Sequence, residues 1–311
     1  MSLKTADAIS GTSGKMHIDT GANNAGFSGG ISIKTGNAAA AGGIQVIAGT
    51  SQEASGGRSG LMSQTQNPQG GSIVLVAGAT NAKKGVGGDV VLTGGTGSSD
   101  HFADGGNGGR VGIRGGSSLG KNKHMDRGGN VTVEGGYSAA SGGGTIIIRS
   151  GQGVLSSSGA VVIQSHNSGK YGTSGDISVV SGAATKGSSG RLQIGSGDSR
   201  SGIGGGIDIF SGQSGYNSGG SINVTAGETK DNALGCSIFL NTGSSKSRSG
   251  HGSFNTPKSI ESSGSLLLST GASSASRSGN IMLNTGKSRQ SAGDISAVIG
   301  QNVLNDGGTI S

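Results

Sequence analysis

The chain has 311 residues, of which 69 are glycine, while aromatic residues make up 3% and charged residues 13%. A globular domain has about 25% charged residues, so this composition argues against a conventional core packed by helices. Collagen is excluded because glycine does not occupy every third position and the chain has 2 prolines. The single cysteine excludes a disulfide scaffold. A net charge of +7 permits binding to polyanions without requiring it.

Targeting and membrane segments are not evident in the sequence. The first residues, Met1–Gly14, contain no apolar segment of the kind found in secretory signals. No run of about 18 apolar residues is present, so we expect no membrane span.

A short phrase recurs throughout the chain: serine or glycine, glycine, any residue, an aliphatic, any residue, an aliphatic, any residue, a small residue and glycine. It is clearest at Ser28–Gly36, Ser174–Gly182, Ser263–Gly271 and Ser278–Gly286. From Gly129 to Gly220 the phrase returns every 15 or 16 residues. Irregular copies lie near residues 50–70. Roughly twenty copies account for nearly the whole chain, which is typical of a repeat architecture.

The two aliphatics of each phrase alternate with other residues, as in Val131 and Val133 or Ile207 and Ile209. A period of two indicates a β-strand with one buried face. The sequence therefore predicts an all-β protein, a β-solenoid that forms a single domain over residues 1–311. One repeat per coil is favoured, and two repeats per coil remain open.

Two spacers are longer than the rest and hold much of the local charge. They are Thr96–Asn107 and Ser117–Arg127. Insertions in solenoids often form a contact surface, although a tolerated solvent loop explains them equally well.

Basic residues recur in the spacers of the C-terminal half. If the coils stack in register, these residues form a candidate basic stripe that could attract an anionic polysaccharide or surface. The alternative is that they only prevent sheet edges from aggregating. The candidate stripe consists of Lys186, Arg200, Lys246, Arg248, Arg277 and Arg289.

Catalytic and cofactor chemistry is not predicted. The five histidines are scattered over different repeats, so no metal cluster is expected. The acidic residues are dispersed, which argues against a glycosidase, and we expect no enzyme activity and no cofactor. Nucleic-acid binding is not favoured, because the chain has few of the aromatic side chains on which bases stack at such sites. Ice binding is less favoured. Small ice-binding solenoids array Thr on a flat face, whereas the residue between the two aliphatics of each phrase here is variously Ser, Gln, Asp, Val or Leu.

The phrase and its Ser-rich spacers, best seen from Ser263 to Gly300, resemble Gly/Ser-rich β-solenoid repeats of extracellular fibres and adhesins. They are also similar to repeats in cell-surface proteins of diatoms and related algae. The resemblance implies an extracellular, non-enzymatic role.

No polar cap is evident at either end of the repeats, and an open sheet edge is a template for another chain. We therefore expect a structural subunit that polymerises head-to-tail into an extracellular filament, with itself as the main partner. The alternative is a monomeric or trimeric adhesin or fibre shaft that binds glycan through its loops. The predicted polymer interface consists of Gly14, Met16, Ile18, Gly308, Thr309 and Ile310.

Overall fold

The structure is a computed structural model that describes residues 2–7, 13–22, 28–36, 43–48, 59–63, 70–101, 105–230 and 234–300. Within these ranges the backbone forms no α-helix and no β-strand. The aliphatic phrases have no regular secondary structure, and the spacers between them bend or turn near their centres. The chain divides into two units, Met1–Ile163 and Gln164–Ser311.

The predicted all-β fold is therefore wrong. A β-solenoid needs strands that hydrogen-bond to the coils above and below, and the described ranges contain neither strands nor a sheet. The period of the sequence is nevertheless also the period of the structure. Bends recur at residues 139–141, 154–156, 170–171, 185–187, 200–202 and 215–217, once in every spacer of this region.

In the unit Met1–Ile163, a backbone hydrogen bond joins the two ends of a spacer. The amide of Gly129 donates to the carbonyl of Gly116 at 2.8 Å, and Gly144 donates to Gly136 at 2.8 Å. A Cβ on Gly144 would lie 2.8 Å from the Gly136 nitrogen, so this close backbone approach requires glycine. The same kind of bond joins Gly88 to Gly78, Gly109 to Gly95 and Gly159 to Gly151.

In the unit Gln164–Ser311, similar bonds close several spacers, and serine takes part in two spacers. Gly220 donates to the Gly212 carbonyl at 3.3 Å, while the hydroxyl of Ser211 donates to the carbonyl of Gly220 at 2.7 Å. The pair Ser196 and Gly205 repeats this hydroxyl contact at 2.7 Å. In these two phrases the serine near the end of the phrase thus helps to close the spacer that follows it.

The chain has no buried core in the part that the structure describes, where no apolar side chain is buried. Its accessible surface is 32283 Å², whereas a compact protein of this mass exposes about 12,000 Å² and an unfolded chain about 43,000 Å². The phrases are instead linked by local bonds between spacer ends. Each link fixes a loop without burying the aliphatics on either side of it.

The spacer bond can be tested at Gly144. In the wild-type chain we expect the residue 144 amide to exchange about two- to tenfold more slowly than neighbouring spacer amides, because one net hydrogen bond contributes about 0.5–1.5 kcal/mol. Gly144→Ala should abolish this protection, since the added Cβ meets the Gly136 backbone. Gly142→Ala is the control, because its Cβ would meet nothing within 4 Å. Retained protection in Gly144→Ala, measured by NMR hydrogen exchange, would contradict the bond.

Candidate functional site

The first candidate site is the set of aliphatic pairs, defined as the two alternating aliphatics of each phrase. The first member is about half exposed and the second is more exposed: 52% and 73% for Ile207 and Ile209, and 52% and 68% for Val131 and Val133. The described pairs therefore present apolar surface at a regular spacing along the chain. Clear pairs are Ile31 with Ile33, Val131 with Val133, Ile177 with Val179, Leu192 with Ile194, Ile207 with Ile209, Ile222 with Val224 and Ile281 with Leu283.

Several phrases also carry an apolar residue between the two members of the pair. In these phrases three consecutive apolar side chains are exposed, as at Ile146, Ile147 and Ile148. The residue between the two aliphatics is therefore exposed as well and enlarges the apolar surface of the phrase. Within the described ranges no second layer of the same chain covers it. The phrases with this feature include those at Val74, Val91, Ile147, Val162, Phe239, Leu267 and Met282.

The residues of the candidate basic stripe lie on or beside spacer bends. Lys246 and Arg248 share one spacer, while the others occupy separate spacers at Lys186, Arg200, Arg277 and Arg289. All six side chains are exposed. The ion pair found within the described ranges joins Lys4 Nζ to Asp7 Oδ2 at 3.1 Å, so no described carboxylate neutralises these six cations.

The predicted polymer interface is described at one end. Met16 and Ile18 are exposed, at 51% and 65%, and a Cβ on Gly14 would lie 3.2 Å from the Thr5 Cβ. Gly308, Thr309 and Ile310 lie outside the described residues. The junction between these two ends stays a prediction.

Other chemistry-bearing groups do not form a site within the described ranges. No group of three His, Cys, Asp or Glu residues there could hold a metal ion. An open cleft of about 300 Å³ is lined by Gln164–Asn167, where the His166 ring nitrogen Nδ1 lies 3.4 Å from the Asn167 carbonyl. A second cleft, of about 280 Å³, lies between Leu240–Thr242 and Gly252–Phe254 and has no acid–base pair in its lining.

No helix able to span a bilayer occurs among the residues that the structure describes.

Comparison with protein-family models, with curated proteins and with solved structures finds no match to this chain in any of the three.

Sequence reasoning located the aliphatic pairs and the basic spacers but assigned the pairs to a buried face. It also missed the hydroxyl contacts of Ser196 and Ser211. The signal available for these contacts is the Ser-Gly that ends a phrase. The glycine at the second position of the next phrase follows nine residues after that serine.

Cys236 provides a test of the exposed phrases. Its thiol is free and exposed, and its amide donates to the Gly227 carbonyl at 3.2 Å at the start of a phrase. We expect maleimide to label Cys236 in dilute protein within about threefold of its rate in urea, because the exposed thiol is already accessible to the reagent without unfolding. Labelling more than tenfold slower than in urea would show that the phrase is covered in the monomer.

Proposed function

We propose that this chain is a non-enzymatic structural subunit that self-associates into an extracellular filament. The observation that carries the proposal is the exposure of the aliphatic pairs along the described chain. Burying one large aliphatic side chain is worth about 1.5–3 kcal/mol, and no core within the described ranges uses this energy. Large exposed apolar surfaces mark sites of protein association.

A second copy of the same chain is the partner that fits these pairs best. The phrases return every 15 or 16 residues between Gly129 and Gly220, and an identical copy carries apolar side chains at the same spacing. Two copies aligned along their length can therefore cover many pairs at once. An unrelated partner would need the same period to cover more than a few.

The charge distribution is compatible with association between copies. Each copy has a net charge of +7, which opposes association, but exposed charges are screened beyond about 8 Å at physiological ionic strength. The six cations of the candidate stripe lie on or beside bends, outside the aliphatic pairs. Salt is thus expected to favour assembly by weakening repulsion between copies.

Covering the pairs places copies side by side, and head-to-tail contacts between copies are a second, separate part of the proposal that extends the assembly into a filament. A contact between two different surfaces of identical chains is heterologous, and when the rotation does not close it produces an unbounded filament. The exposed Met16 and Ile18 supply apolar side chains at one end of such a contact. The extracellular location follows from the resemblance of the Gly/Ser-rich phrases to repeats of secreted fibres.

The aliphatic pairs can be tested by charge insertion. The variant Ile177→Asp, Ile207→Asp, Ile222→Asp places carboxylates in three pairs, and its net charge falls from +7 to +4. We expect the protein concentration needed for assembly, measured by pelleting and electron microscopy, to rise at least about tenfold, because each lost aliphatic is worth about 1.5–3 kcal/mol when buried.

The matched control carries the same charge change on spacers. Ile203, Leu234 and Ile260 are almost fully exposed on or near bends, so their replacement by Asp should change the assembly concentration by less than about twofold. Equal effects of the two triple variants would contradict a role for the pairs.

Deleting Gly307–Ser311 tests the direction in which the filament grows. Head-to-tail filaments should be lost in electron micrographs of this variant, and unchanged filaments would exclude this junction.

A further inference from the structure

The long spacer between Gly116 and Gly129 contains a turn that its own side chains hold in place. The Gly129 amide closes the spacer by donating to Gly116. Inside it, the Asp126 amide donates to the Asn122 carbonyl at 3.0 Å, and the Asn122 amide donates to Asp126 Oδ2 at 2.7 Å. The His124 amide donates to Asn122 Oδ1 at 3.0 Å. Asn122 and Asp126 thus fix the backbone from both sides of the turn.

This turn displays cations and uses its one carboxylate internally. Lys121, Lys123 and Arg127 are exposed, as is His124. Asp126 is the acidic residue of the spacer, and its Oδ2 accepts from the Asn122 backbone. No described carboxylate forms an ion pair with these lysines or with Arg127. Three permanent positive charges within seven residues are therefore presented to solvent by an ordered turn.

We propose that the Lys121–Arg127 turn is a binding site for an anionic polysaccharide that carries sulfate or carboxylate groups. Arg127 supplies the planar fork of donors that suits such groups, while Lys121 and Lys123 act as point charges. Short segments rich in Lys and Arg are typical of sites for heparin-like polymers. The proposal does not depend on self-association, because it concerns a spacer and not the aliphatic pairs.

Two other polyanions fit the turn less well. Single-stranded nucleic acid is bound with the help of aromatic side chains on which bases stack, and the spacer 117–128 contains no Phe, Tyr or Trp. Attraction to anionic membranes typically uses about 4–8 clustered Lys or Arg residues, and this turn has fewer. Leu119 and Met125 are exposed beside the cations, so vesicles are included in the test.

The first experiment measures heparin binding to the full chain by titration calorimetry at a concentration below assembly. Replacing Lys121, Lys123 and Arg127 with Gln should weaken binding at least about tenfold, because hydrogen bonds to charged groups are among the stronger polar contacts. The control replaces Lys34, Arg149 and Lys258, exposed cations outside both the turn and the candidate stripe, with Gln and has the same net charge of +4, lowered from +7. It should bind within about threefold of wild type. Equal losses in both variants would overturn the site in favour of a net-charge effect.

The second experiment tests the turn without changing charge. A Cβ on Gly120 would overlap the Asp126 carboxylate, so Gly120→Ala must displace that carboxylate from the Asn122 amide. Gly116→Ala is the matched control, because its Cβ would meet nothing within 4 Å. We expect Gly120→Ala to bind heparin at least about threefold more weakly than wild type and Gly116→Ala to bind normally.

Wild-type affinity in Gly120→Ala would show that the ordered turn is not the binding element and would overturn the proposal. Tighter binding of the full chain to phosphatidylserine vesicles or to single-stranded DNA than to heparin, with loss in the Gln variant, would overturn the polysaccharide assignment. Weak binding of the vesicles and of single-stranded DNA, together with tight binding of heparin, would support the polysaccharide assignment.

Discussion

The structure depends on how little apolar surface each repeat can bury. A repeat of about 15 residues offers two large aliphatics, worth about 1.5–3 kcal/mol each when buried, while fixing the backbone costs about 1–2 kcal/mol per residue. Ordering a whole repeat by its own side chains is therefore unfavourable. Local bonds close several of the described spacers, such as the bond from Gly144 to Gly136, and the described aliphatics stay exposed.

These local bonds explain why glycine and serine dominate the chain. Glycine at the spacer ends allows two backbone segments to approach closely, as at Gly136 and Gly144, and a serine hydroxyl satisfies the carbonyl of Gly205 or Gly220. The spacers then bend at regular intervals. Aliphatic pairs and spacer bends alternate along the sequence, so the proposed apolar association and the proposed binding of a polyanion use different parts of the chain.

The period and the spacer positions could be predicted from the sequence, because glycine punctuation and alternating aliphatics are local signals. The all-β solenoid could not, because it requires hydrogen bonds between neighbouring repeats, and a single phrase such as Ser174–Gly182 does not specify whether these form. The alternation of Ile207 and Ile209 predicts one buried face, and this prediction is wrong because both side chains are exposed. The Asn122–Asp126 turn was missed because Ser117–Arg127 was considered only as a longer spacer, either a contact surface or a solvent loop, without regard to which side chains bond to the backbone.

Sedimentation velocity over a dilution series tests the central claim, that exposed aliphatic pairs drive self-association, most directly. At low concentration the account predicts a monomer whose described aliphatic pairs are exposed to solvent. As concentration or salt rises, this species should give way to large polymers. A monomer that persists at every concentration and salt would contradict the account.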